Sequence, residues 1–339
     1  MRAVIVGVGA VGARAARQLL YLGPLDDVVV IDADGPRADA VAESLGAPAR
    51  VGSDLESAGL ERGDVVVFGT PGSHRALAEV ALGRGAHVVS VSDHVDDVRD
   101  LLALDGRARD EGRHVVVGAG FSPGLSCVLA ALAARSFERV EEIHVAKVGT
   151  GGPECARQHH RALAEQASDW REGNWEHRNG GSGRELCWFP DPVCGVDCYR
   201  AALAETALLV AAFPDAHRVT ARVGASRRDR LTARLPMLRR PHPEGDLGAV
   251  RVEVRGAQGS ALDDRVLGAV DRPAVAAGTV AALSARWAMD DRLAHTGASG
   301  LAGRVEPGPF LAALAERGLK VAVFEGSHHG AGTPAAAIG

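Results

Sequence analysis

Within its first dozen residues the chain runs from Val4-Ile5-Val6 into Gly7-Val8-Gly9-Ala10-Val11-Gly12. No other feature constrains the fold as tightly. A buried strand followed by this spacing needs Gly7 for a tight turn, Gly9 for close approach of a pyrophosphate, and Gly12 for helix–strand packing. The helix that follows offers unpaired N–H groups and the positive end of its dipole to phosphates. Asp32 stands twenty residues beyond Gly12, at the end of a second apolar run, where a carboxylate can accept both ribose hydroxyls. The bland alternative is a glycine turn in an α/β protein that holds no nucleotide. The strand before, the helix after and the acid at this distance favour the dinucleotide. Asp32 and Asp34, flanking Ala33, would repel a 2′-phosphate, so NAD is expected over NADP. Arg37 is either a solvated helix residue or the group that would swing back to hold such a phosphate, which keeps NADP possible.

The next hundred residues extend the pattern. Short apolar runs at Ala3–Val6, Val28–Ile31, Val65–Phe68, His87–Val91 and His114–Val117 read as strands buried on both faces. Helix-period segments separate them at Val11–Leu22, Arg37–Leu45, Ser73–Arg84 and Val95–Glu111. This alternation predicts right-handed crossovers and a Rossmann-type, doubly wound parallel sheet in an α/β protein. After Gly124 comes an apolar helix at Leu125–Ser136, a strand at Ile143–Val148, and further strands at Arg218–Val223 and Ala249–Arg255, which imply a second α+β domain on a mainly antiparallel sheet. A Pro/Arg loop lies near 236–247, and Ala274–Ala288 is a long helix after Pro273. The expected organisation is a cofactor-binding domain over 1–124, a substrate and dimerisation domain over 125–272, and a helix returning to the first domain over 273–295. A C-terminal segment over 296–326 and a flexible tail over 327–339 complete it.

Composition excludes other classes. The 339 residues are 46% hydrophobic and 24% charged, enough apolar surface for a packed core and hence no bulk disorder. A net charge of −5 gives no overall field for nucleic acid, and no apolar run is long enough for a membrane span. Residues 201–213 come nearest, but Glu205 interrupts them. The N-terminus enters the first strand without a signal-peptide pattern. The five cysteines make an odd number for a disulfide framework, so a cytoplasmic protein with reduced thiols is expected. Cys187, Cys194, Cys198 and His177 lack the paired C-x2-C spacing of structural zinc sites, so no metal is expected.

Three further segments complete a family resemblance: Gly69-Thr70-Pro71 after the third main strand, Val89-Ser90-Val91-Ser92-Asp93 after the fourth, and Gly118-Ala119-Gly120-Phe121-Ser122-Pro123-Gly124-Leu125 at the domain crossover. With the N-terminal glycine loop, they make the chain resemble the saccharopine dehydrogenase-like family, including the lysine 6-dehydrogenase and carboxynorspermidine dehydrogenase types. The resemblance covers residues 1–130 and again 271–288. It implies an NAD(P)-dependent oxidoreductase moving hydride between nicotinamide and a carbon–nitrogen bond of an amino acid or polyamine-like substrate. It also implies that Gly69, Thr70, Pro71, Gly120, Phe121 and Pro123 line the cofactor cleft.

Such chemistry needs a base for the ammonium proton, and a cation for any substrate carboxylate. Asp93 and His94 follow a strand of the parallel sheet at its ligand-binding end. His94 is a candidate base or a surface loop histidine. Lys147, one of only two lysines, ends a strand before Gly149-Thr150-Gly151-Gly152; it is a carboxylate anchor, an acid, or a solvated strand end. Arg157, His159, His160 and Arg161 suit an acidic substrate but read more simply as a solvated basic helix face. Trp170, Trp175 and Trp188 suit an aromatic wall, a core cap or an interface. The expected partners are a small amine or amino acid and, through the apolar helices near the C-terminus, a second copy of the chain. Two other readings stay open: redox-neutral amine transfer of the homospermidine synthase type, and an NAD-binding protein without catalysis.

Overall fold

The computed structural model describes residues 1–237 and 241–324. The expected tail at 327–339 and part of the Pro/Arg loop lie outside them. Strands and helices alternate through the first part: β1 (Arg2–Val6), α1 (Gly12–Leu22), β2 (Asp27–Ile31), α2 (Gly35–Leu45), β3 (Ala49–Val51), β4 (Val65–Phe68), α3 (Arg75–Gly83), β5 (His87–Ser90), α4 (Val95–Leu102), α5 (Asp105–Asp110) and β6 (His114–Val116). The second part runs α6 (Leu125–Ala134), β7 (Arg139–Val148), α7 (Pro153–Ala162), β8 (Gln166–Arg171), β9 (Asn174–Asn179), β10 (Glu185–Trp188), β11 (Gly195–Tyr199), α8 (Glu205–Ala212), β12 (Arg218–Gly224), α9 (Arg227–Thr232), β13 (Gly248–Gln258) and β14 (Ala261–Asp271). It closes with α10 (Pro273–Met289), β15 (Gly297–Ser299), α11 (Pro307–Ala315) and β16 (Lys320–Phe324).

The first sheet has seven strands, ordered β15-β6-β5-β4-β1-β2-β3, and every pairing in it is parallel. The order reverses between β1 and β4, and there the loops at the carboxyl ends open a crevice. Its central strands are valine runs buried on both faces, as a parallel sheet covered by helices requires. The second sheet is mixed and mostly antiparallel, with β7 and β12 its one parallel pair among the described residues. The chain is thus α/β with a Rossmann sheet and a second, mostly antiparallel one.

The structure corrects several element boundaries. The single helix expected over Val95–Glu111 is two, because the chain turns at Ala103 and Leu104 before α5 begins. The three-residue strands β3 and β15 are too short to show a period in sequence, and β15 reaches the Rossmann sheet from near the C-terminus. Helix α10 packs on α1, β4 and β5. Gly278 makes the contact with α1 close: a Cβ there would lie 2.6 Å from the Cβ of Arg14.

Candidate functional site

A cleft of about 1290 Å³ runs from the glycine loop to the second sheet. One wall is mainly backbone. Gly7 adopts φ +88° and its N–H donates to the Ile31 carbonyl, turning the chain out of β1. A Cβ on Gly12 would fall 1.9 Å from the Gly7 carbonyl oxygen, so only glycine lets α1 seat against the turn. Gly9 has nothing within 4 Å of where its Cβ would be, leaving open space beside the loop. No side chain caps α1; the Ala13 N–H donates to the Gly9 carbonyl, and the positive end of the helix faces the cleft, suited to an anion. Asp32 is anchored there: its carboxylate accepts the N–H of Val8 at 2.8 Å and that of Asp34 at 2.9 Å. Arg37 pairs with Asp34 at 2.7 Å and lies 3.6 Å from Asp32.

The expected cofactor residues Gly7, Gly9, Ala10, Val11, Asp32, Ala33, Asp34, Arg37, Gly69, Thr70, Pro71, Gly120, Phe121 and Pro123 all line this one cleft. Gly12 lies beneath it as packing. The crossover turn closes on itself through a bridge between Gly120 and Gly124, and a Cβ on Gly124 would lie 2.1 Å from the Gly120 oxygen.

The other wall is made of charged side chains. Lys147, at the end of β7, is almost wholly buried; its ammonium lies 3.0 Å from Glu205 Oε1 and donates to the Ser122 carbonyl at 2.8 Å. The Ser122 hydroxyl donates to the same Glu205 oxygen at 2.6 Å. The crossover turn, β7 and α8 are therefore tied together at one point. Burial opposes the charge on Lys147, but Glu205, Asp93 and Cys155 hold its pKa above the ordinary lysine value. Its neighbours thus favour the charged ammonium. Glu205, the residue that interrupts the apolar run at 201–213, was not a sequence candidate. A lone acid in an otherwise apolar helix is the signal that marks it.

Asp93 and His159 meet across the cleft, with Nε2 of His159 3.2 Å from Asp93 Oδ2 and 3.7 Å from the Cys155 sulfur one helical turn earlier. Burial and the Lys147 charge push His159 down, but the Cys155 sulfur and the Asp93 carboxylate outweigh them and hold its pKa up at about 9. Burial works against the Asp93 charge, yet the His159 hydrogen bond and Lys147 keep its pKa below the usual carboxylate value. His94 lines the cleft but is exposed at the start of α4, with no side-chain hydrogen bond among the described residues. The basic helix face is split by α7: Arg157 and Arg161 are exposed and pair with Glu154, whereas His159 and His160 turn inward. His160 serves structure, its Nε2 lying 2.9 Å from the Thr232 carbonyl.

None of Trp170, Trp175 and Trp188 lines the cleft. Trp170 and Trp175 stack edge to face on the β8–β9 hairpin, and Trp188 is exposed on β10. Cys187 and Cys198 pack against Phe189 and Ala249, His177 bonds Ser168, and Cys194 is exposed. No helix among the described residues is long and apolar enough to cross a membrane.

Comparison with known proteins agrees with this construction. Residues 1–119 match the oxidoreductase family, NAD-binding Rossmann fold. Apo saccharopine dehydrogenase (L-Glu forming) from Saccharomyces cerevisiae superposes with a TM-score of 0.69 over 96% of this chain and 100% of that one, at 16% identity. An amine dehydrogenase from Mycobacterium smegmatis matches at TM-score 0.49 and 12% identity over 90% of this chain and 96% of that one. DAP dehydrogenase from Corynebacterium glutamicum, in complex with DAP, gives 0.48 and 16% over 94% and 98%. At 16% identity the likeness to saccharopine dehydrogenase is one of fold alone. Residues 1–119 form an NAD-binding Rossmann domain of the oxidoreductase type, within a chain whose overall fold is like that of saccharopine dehydrogenase.

Proposed function

We propose that this chain is an NAD-dependent oxidoreductase moving hydride between nicotinamide and the carbon of a C–N bond in a small amine or amino acid. The observation that carries the reading is the single cleft with a dinucleotide cradle on one wall and the Asp93–His159 pair, with Lys147, on the other. The Rossmann residues fit NAD: the uncapped N-terminus of α1, open space at Gly9 and the anchored carboxylate of Asp32. When bound, NAD supplies the hydride acceptor. His159, oriented by Asp93, takes the substrate nitrogen's proton in oxidation and returns one in reduction. Lys147 stays charged and provides fixed positive potential for an anionic group or for charge that develops at the reacting centre. The Gly120–Gly124 turn, held by Lys147 and Glu205, forms the apolar wall through Phe121 and keeps water from a hydrolysable imine. In this reading His159 takes the role first considered for His94.

The test is absorbance at the NADH band with NAD or NADP and a panel of amino acids, secondary amines and diamines. Turnover with NAD is expected, and His159→Gln should bind NADH normally while losing most of that turnover. Turnover only with NADP would make Arg37 the ribose-side determinant. Product formed without any absorbance change would favour redox-neutral transfer. Tight NADH binding with no reaction on any substrate would leave a binding protein.

A further inference from the structure

The Asp93–His159–Cys155 group has a geometry that proton transfer alone does not require. In a nucleophilic Cys–His–Asp arrangement the two imidazole nitrogens divide the work, one facing the sulfur and the other the carboxylate. Here a single nitrogen, Nε2 of His159, faces both Asp93 Oδ2 at 3.2 Å and the Cys155 sulfur at 3.7 Å. One N–H points well at only one of these acceptors. A cation on that nitrogen's lone pair would meet all three donors at once. The three ligand atoms lie within 4.8 Å of one another, the one such His, Cys and carboxylate group among the described residues. A tetrahedral ion with bonds of about 2.0–2.3 Å holds its donors about 3.3–3.7 Å apart, which is the spacing seen around Nε2.

We propose that Asp93, Cys155 and His159 form a binding site for a divalent cation of the zinc type, with its fourth position open to the cleft. The donor set selects the ion: a thiolate and an imidazole favour zinc, cobalt or nickel over magnesium or calcium, which take oxygen ligands. Cys155 and His159 are one turn apart on α7 and present their donors from the same helix face, while Asp93 closes the site from the loop after β5. The site rests on the same cleft as the proposed amine chemistry, and an ion there would withdraw His159 from proton transfer. Sequence spacing does not reveal it, because Asp93 precedes the other two donors by more than sixty positions.

The experiment loads the full chain with zinc or cobalt, dialyses it against metal-free buffer, and counts bound metal per chain without any assay of turnover. Cobalt also gives a sulfur-to-metal charge-transfer band in the near ultraviolet when a thiolate is a ligand. One equivalent and this band are expected, both lost in Cys155→Ser and kept in Cys194→Ser, which removes the exposed competing thiol. NADH binding by each variant shows that it has folded. No retained metal, or metal retained without the band in wild type and in Cys155→Ser alike, would overturn the site. Because metal is counted directly, a failed substrate panel and an absent metal site are separate results.

Discussion

The two walls of the cleft are built by opposite means. The Rossmann wall presents backbone: glycines that admit close approach, a free helix N-terminus, and one carboxylate fixed by two backbone N–H groups. The facing wall presents side chains, with Asp93, Lys147, Cys155 and His159 drawn from the loop after β5, from β7 and from α7, and with Glu205 of α8 buried behind Lys147. A backbone wall tolerates change in its neighbours but not in its glycines. A charged wall fails when any one partner leaves the others uncompensated.

The largest expected effect lies on the charged wall. Glu205→Ala leaves the Lys147 ammonium buried without its anion and should cost about 3–5 kcal/mol in urea denaturation. Lys147→Met combined with Glu205→Leu should recover much of that loss, and simple additivity would contradict the pairing. On the backbone wall, Gly12→Ala forces a Cβ against the Gly7 carbonyl and should lose about 1–3 kcal/mol. Gly9→Ala meets open space, so it should leave stability within about 0.5 kcal/mol while weakening NADH, a contrast that equal effects would break. Asp32→Ala should weaken NADH about 10- to 100-fold, read by fluorescence titration, as expected for lost hydrogen bonds to a charged group.

A further effect lies below both walls. His87 is buried, its Nδ1 accepts the His114 backbone N–H, and burial together with His114 lowers its pKa to about 3. The unfolded chain then binds more protons than the folded one below the ordinary histidine value. Stability present near pH 7–8 should fall by about 2 kcal/mol by about pH 5, and His87→Gln should flatten that slope. The smallest effect is expected at Arg157, half-exposed and paired with Glu154, where alanine should change stability by less than about 0.5 kcal/mol.

The same contrast explains what the sequence discloses. The first wall is legible because its parts are local: three glycines in six residues and an acid at a fixed distance leave little freedom. The parallel sheet follows from valine runs that only burial on both faces explains. The second wall is not legible, since its donors at positions 93, 147, 155, 159 and 205 meet only through the crossover and the second sheet. A helical wheel of α7 alone cannot tell the inward, part-buried His159 from the exposed Arg157, because α7 carries polar side chains both inward and outward. The short strands β3 and β15 escape for a simpler reason, having too few residues to show a period.

In the proposed reaction both walls act on one substrate. The direct measurement is NADH-band turnover on the amine panel by wild type and His159→Gln, alongside NADH affinity for each. Wild type should turn over, and the variant should keep its NADH affinity while losing most of its rate. Wild-type rates in His159→Gln would contradict this, because the charged wall would then have no part in the chemistry.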